Sequence, residues 1–214
     1  MICSENNMSF RIPKFQSFVS SLGLALGLFA GLAHAEAVAP DTFVKNFSNE
    51  VLTEIKANKK DLIANPSKLE ALVDKKVMPN VDFFRMTGLV VGLPWRSATP
   101  DQRNEVAKQF RELLVKTYSG ALSQVGDQTV VVDKPRMRPD DTEVIVTSKV
   151  MQTNGAPPID LAYRVEKKAD KWQIYDFSVL GLWLVDSYKQ QFKPVLDNGG
   201  IDGLIAALKA KNSQ

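Results

Sequence analysis

Cysteine and histidine are all but missing from the chain: its 214 residues hold one of each, Cys3 and His34, both within the first 35 positions. That stretch has the grammar of a secretory signal peptide. Arg11 and Lys14 form a basic start, Phe18 to Leu32 an apolar segment, and Ala33-His34-Ala35 a small-x-small cleavage site. The apolar segment is short for a retained membrane anchor. Cleavage before Glu36 leaves a single exported domain, residues 36–214, with no thiol and no imidazole. Cys-His and Ser-His nucleophilic catalysis, histidine general-base chemistry and the usual zinc sites then lose their essential residues. No disulfide can brace the fold, so packing alone must hold it. An excess of one charge is missing too. Taking Arg11, Lys14 and Glu5 from 27 basic and 24 acidic residues leaves 25 and 23, a net charge of +2, which speaks against nucleic acid as a partner.

What is present is apolar and strongly patterned. Trp172 to Phe192 joins a strand rich in aromatic and β-branched residues (Trp172, Ile174, Tyr175, Phe177, Val179) to a helix with Val185, Tyr188, Phe192 and Leu196 at helical spacing. Gly181 marks the break, and Leu182, Trp183 and Leu184 are expected to make the first helical turn apolar on nearly every side. Packing on a sheet needs one stripe. The surplus points to deep core or to a bound hydrophobic guest.

Upstream the pattern is helical. Phe43, Phe47, Val51 and Ile55 form one stripe, residues 58–64 read as a polar turn, and Asn65-Pro66 opens a helix with Leu69, Leu72, Val73 and Val77 inward, ended by Pro79. Val81 to Trp95 reads as a helix apolar around most of its circumference. Thr99-Pro100-Asp101-Gln102 is a capping box, opening a long helix to about Gln124. After Gly126 the signals become strands: Thr129 to Val132, Glu143 to Met151, Ile159 to Val165 and Trp172 to Val179, joined by connections short enough to imply antiparallel neighbours. Gly200 to Lys211 reads as a last amphipathic helix. Helices, then strands, then helices is the order of an α+β domain with helices on one face of an antiparallel sheet. Curved against its helices, such a sheet makes a cone whose mouth is a natural ligand pocket.

The runs NPSKLEALVDKKVMPNVDFFRMTG, SATPDQRNEVAKQFRELLVKTYSGAL, WQIYDFSVLGLWLVDSYKQQF and GGIDGLIAALK resemble, in order and spacing, the MlaC family of periplasmic phospholipid-binding proteins, also called toluene-tolerance auxiliary proteins. The likeness spans Asp41 to Lys211. It implies an NTF2-like cone, helices packed on a curved antiparallel sheet around an apolar internal cavity that shelters the acyl chains of a glycerophospholipid. It further implies a monomeric periplasmic carrier with no cofactor and no catalysis. Such a carrier exchanges lipid with an outer-membrane lipoprotein-porin complex and with an inner-membrane ABC transporter and its lipid-binding periplasmic subunit, and so maintains outer-membrane lipid asymmetry. Where the family pattern often has an acidic residue before the glycine and a serine two positions after it, this chain has Leu180 and Trp183.

Candidate lipid-binding residues are those with apolar bulk beyond what a helix stripe or sheet face requires: Phe83, Phe84, Leu89, Val90, Trp95, Tyr118, Val146, Val150, Leu161, Tyr163, Phe177, Leu180, Trp183 and Leu184. Each taken singly also suits plain core. Arg85, Arg111 and Lys189 are candidates for a headgroup rim, with solvated charge as the alternative. Two other classes compete with the carrier. One is an NTF2-like isomerase or hydratase with a buried aspartate base, drawn from Asp160 or Asp176 with Tyr118, Tyr163 or Tyr175 as donors. The other is a protein-binding adaptor, which would expose its apolar surplus.

Overall fold

The Phe43 stripe forms as expected, in a helix over Pro40–Ala64 (α1) with Val44 and Phe47 buried. The structure, a computed structural model, describes residues 38–153, 155–169 and 171–214; the signal-peptide reading falls on residues 1–35, outside them. The polar turn expected at 58–64 does not form. Leu62 packs there against Leu69, and the helix ends only at Asn65, which is extended ahead of Pro66 because the proline ring disfavours helical backbone before it. Pro66–Leu72 (α2) then runs through a π turn, Val73–Val77, and a 3₁₀ turn, Met78–Asn80.

The stretch expected as one helix from Val81 to Trp95 is divided. Val81 is extended and bridges Ile174, Phe83–Val91 (α3) is capped by the Asp82 side chain, and Gly92, at φ 72°, ends it. A short helix follows, Pro94–Ser97 (α4). The capping box is present: the Thr99 side chain accepts from Gln102 N and the Gln102 side chain from Thr99 N, opening Pro100–Ser119 (α5). A 3₁₀ turn, Gly120–Gln124, completes it.

Thr129–Val132 (β1), Glu143–Met151 (β2), Ile159–Lys168 (β3), Lys171–Val179 (β4) and Leu182–Trp183 (β5) pair as an antiparallel sheet in chain order. The expected first helical turn at Leu182 and Trp183 is therefore a strand. Leu180 and Gly181 both take positive φ, 50° and 83°, as a two-residue hairpin of this hand requires. Leu184–Asn212 (α6) follows and changes direction at Gly200, φ 59°, so the expected last helix is its second half. A register shift at Arg164/Val165 pairs Arg164 with Asp176 and Val165 with Ile174, leaving Tyr175 as the extra residue of a bulge.

One face of the sheet meets the helices, with Val146, Tyr163, Val165 and Ile174 buried in one core with residues of α1, α3, α5 and α6. Phe110 on α5 is its junction, fully buried, with Phe83 of α3 at 5.6 Å and Tyr188 and Phe192 of α6 at 5.0 and 5.4 Å between ring centres. Truncating it removes contacts to two helices at once. Phe110→Ala should lower unfolding stability by roughly 3–5 kcal/mol, read as a shifted midpoint in denaturant.

Candidate functional site

The helix-facing side of the sheet is sealed at one end and uncovered at the other. Where β3 ends and β4 begins, Val165 and Ile174 are wholly buried and Trp172 nearly so. At the opposite end the register places Leu161 beside Val179 and Val179 beside Leu182 on the same face. There Val179 is 48% and Leu182 73% exposed, and Leu161 and Phe177 are half-buried. Between the two ends Tyr163 contacts Phe177 edge-on at 5.7 Å and its hydroxyl lies 3.3 Å from Ser48 Oγ of α1. The result is a continuous apolar track from open rim to closed core.

The expected residues do not gather in one place. Val146, Tyr163, Phe177, Leu161 and Val150 line the helix-facing side, while Phe83, Val90 and Leu184 belong to the helix side of the core or pack against it. Tyr118 is exposed at the end of α5, and Leu180 is exposed at the hairpin tip. At the corner between α3 and α4 Phe84 meets Trp95 at 5.0 Å, with Trp95 also packed against the core, while Leu89 is exposed on α3. Trp183 pairs with Ser178 on the outer face, under the Arg164 guanidinium at 4.1 Å. The core between helices and sheet is apolar, as expected. Two clefts of about 700 and 540 Å³ open on the outer face, the larger beside Ile145, Ala162, Leu180 and Trp183.

The rim cations are mostly engaged. Arg85 reaches Glu166 and Glu143 and lies 3.7 Å over the Tyr175 ring, tying α3 to three strands. Arg111 holds Asp74 and the Glu70 carbonyl, whereas Lys189 is exposed on α6 beside Gly92. The Arg85 hydrogen bond holds the Glu143 carboxyl below its usual range. Burial pushes Asp82 up, but Lys168 and the Arg85 backbone N–H outweigh it and bring it below that range.

Asp176, the candidate base, has both oxygens occupied. Phe177 N and Val185 N donate to Oδ1 at 2.8 and 3.0 Å, and Arg164 donates to Oδ2 at 2.8 Å. Burial raises its carboxyl above the usual range, against those donors. Trp183, the N-cap of α6, has no side-chain acceptor to offer. Asp176 therefore caps the helix from the neighbouring strand, meeting an otherwise orphaned N–H and the positive helix end. The tyrosines do not converge on it: Tyr163 faces α1, Tyr175 donates to Glu143 and Tyr118 is exposed. Among the described residues no cluster of three His, Cys, Asp or Glu side chains could hold a metal, and no helix is long and apolar enough to cross a membrane.

Residues 45–210 match the family profile described as MlaC protein. The chain belongs to the MlaC family. Among its MlaC relatives, the intermembrane phospholipid transport system binding protein MlaC of Haemophilus influenzae is 25% identical over 196 residues, covering 89% of this chain and 92% of that protein. Toluene tolerance protein ttg2D of Pseudomonas putida is 26% identical over 167 residues, 78% of this chain and 77% of its own. The solved phospholipid-binding protein of Ralstonia solanacearum, in complex with a phospholipid, superposes with a TM-score of 0.78 at 41% identity, over 83% of this chain and 98% of that one. The α+β fold read from the motif order is the fold this chain shares with that solved phospholipid-binding protein.

Two outcomes follow from the polar contacts. Asp176→Ala should cost roughly 3 kcal/mol, the low end for breaking a buried pair because Arg164 keeps some contact with water, measured by denaturant unfolding. Asp82 and Glu143, held low in the fold, contribute stability that is present above the ordinary carboxylate pKa of about 4 and is lost as pH falls through their lowered values. Thermal midpoints should therefore drop on acidification below that point, and less steeply in Asp82→Asn.

Proposed function

We propose that this MlaC-family chain is a phospholipid carrier that works between two membranes, holding acyl chains between its helices and its sheet. One observation carries the reading: an apolar face sealed at one end by Val165, Trp172 and Ile174 and left uncovered at the other, around Leu161, Val179 and Leu182. The relatives named for phospholipid transport and binding support it.

Burying one methylene is worth about 0.8 kcal/mol, so two chains of roughly sixteen carbons need on the order of 25 kcal/mol of shielding from water. A bilayer supplies as much, which makes transfer from membrane to protein close to neutral and reversible. The acyl chains enter along the apolar track from its uncovered end. The rest of the proposal concerns the setting. Residues 1–35 act as a cleaved signal peptide that sends residues 36–214 to the periplasm as one monomeric domain. There it exchanges cargo with an outer-membrane lipoprotein-porin complex and an inner-membrane ABC transporter complex, sustaining lipid asymmetry without catalysis.

The test is chemical. Protein recovered from the periplasmic fraction of cells expressing the full chain is extracted with organic solvent and the extract identified by mass spectrometry; phospholipid in stoichiometric amount is expected, and an empty, monodisperse protein overturns the carrier. Leu161→Asp places a charge on the apolar track and should cut the phospholipid load at least tenfold while circular dichroism stays that of the parent.

A further inference from the structure

The corner between α3 and α4 leaves apolar side chains exposed that none of the described residues covers. Leu93 is 77% and Phe84 46% exposed, with Leu89 exposed on the same helix as Phe84. The corner is rigid. Trp95 packs so closely on Gly88 that a Cβ there would stand 2.8 Å from the indole nitrogen, Phe84 packs edge-on against the same indole, and the Arg103 side chain donates to the carbonyls of Trp95 and Arg96 at 3.0 Å each.

Among the described residues, three basic side chains around it make no ion pair. Arg103 spends its hydrogen bonds on neutral carbonyls, so its charge has no acidic counterpart. Lys189 of α6 lies against Gly92, the residue before Leu93, and among the described residues neither Lys189 nor Arg96 has an acidic partner. Of the carboxylates near in sequence, Asp82 is held by Lys168, Asp186 is turned to Arg164, and Asp101 sits in the first turn of α5. Exposed leucine and aromatic side chains fringed by uncompensated lysine and arginine match the boundary between acyl chains and headgroups of an anionic bilayer. A protein partner's apolar pocket would be served by the leucines alone.

We propose that the α3–α4 corner, with Leu93 and Phe84 at its tip and Arg96, Arg103 and Lys189 around it, is a docking surface for an anionic phospholipid bilayer. It shares no residue with the apolar track of Leu161, Val179 and Leu182, so it can bring the carrier to a membrane without using those side chains. The inference stands independently of the carrier reading: copurified phospholipid tests the one and vesicle binding the other.

Vesicle flotation decides it. The exported protein should float with vesicles containing about one-third phosphatidylglycerol, and at least fivefold less with pure phosphatidylcholine vesicles or in 0.5 M salt, since screening shortens the reach of surface charge. Leu93→Glu and the double variant Arg96→Glu, Lys189→Glu should each lose at least tenfold in binding while keeping their copurified phospholipid and thermal midpoint. Brominated lipids should quench tryptophan emission of the parent, and markedly less in Trp95→Phe. Equal flotation by parent and variants, no binding to the anionic vesicles, or quenching unchanged in Trp95→Phe would overturn the proposal.

Discussion

A sheet that is apolar on one side must be covered, and the cover here is fastened at Phe110. That ring touches aromatic side chains from α3 and α6 at once, so three helices are fastened to one another as well as to the sheet. The helix layer can then behave as a unit. It lies tight over the end of the sheet marked by Val165 and Ile174 and stops short of Val179 and Leu182. In a solid globular core that shortfall would be a fault, because it leaves apolar side chains wet. For a protein that shelters fatty tails, it is the place where shelter begins.

The polar contacts divide between two tasks. On one flank, Arg85 with Glu143, Glu166 and Tyr175, and Lys168 with Asp82, pin the start of α3 to the sheet. On the other, Asp176 pins the start of α6. The first lies over the closed end of the sheet; the second holds α6 just beyond Leu182, at the uncovered end. Between these anchors the helices and the sheet meet mainly through apolar contacts, which can be exchanged for contacts with acyl chains at little net change in burial.

Much of this was legible from spacing. The stripe of α1, the capping box at Thr99 and the limits of β1 and β2 appear as the periodicities demand, because each rests on local chemistry. What escaped depended on contacts far along the chain. Residues 58–64 looked like a turn because their lysines and asparagine are polar, yet Leu62 has a partner in Leu69 that keeps the helix going. Leu182 and Trp183 looked helical because apolar residues crowd there, and nothing local announces that Leu180 will take a left-handed conformation and return the chain as a strand. The surplus of apolar residues from Val81 to Trp95 was visible, but its direction was not. Periodicity cannot tell a side chain buried by its neighbours from one left facing solvent, and at Leu93 it faces solvent.

The borrowed cap on α6 has a bearing on how the protein acquires its shape. A helix whose first free N–H is met by Asp176, nine positions back and on another element, has no stop signal of its own at that end. Its starting point is defined only once β4 lies in place. Sheet and C-terminal helix are tied through one carboxylate: whatever displaces the last long strand also uncaps the helix that follows it.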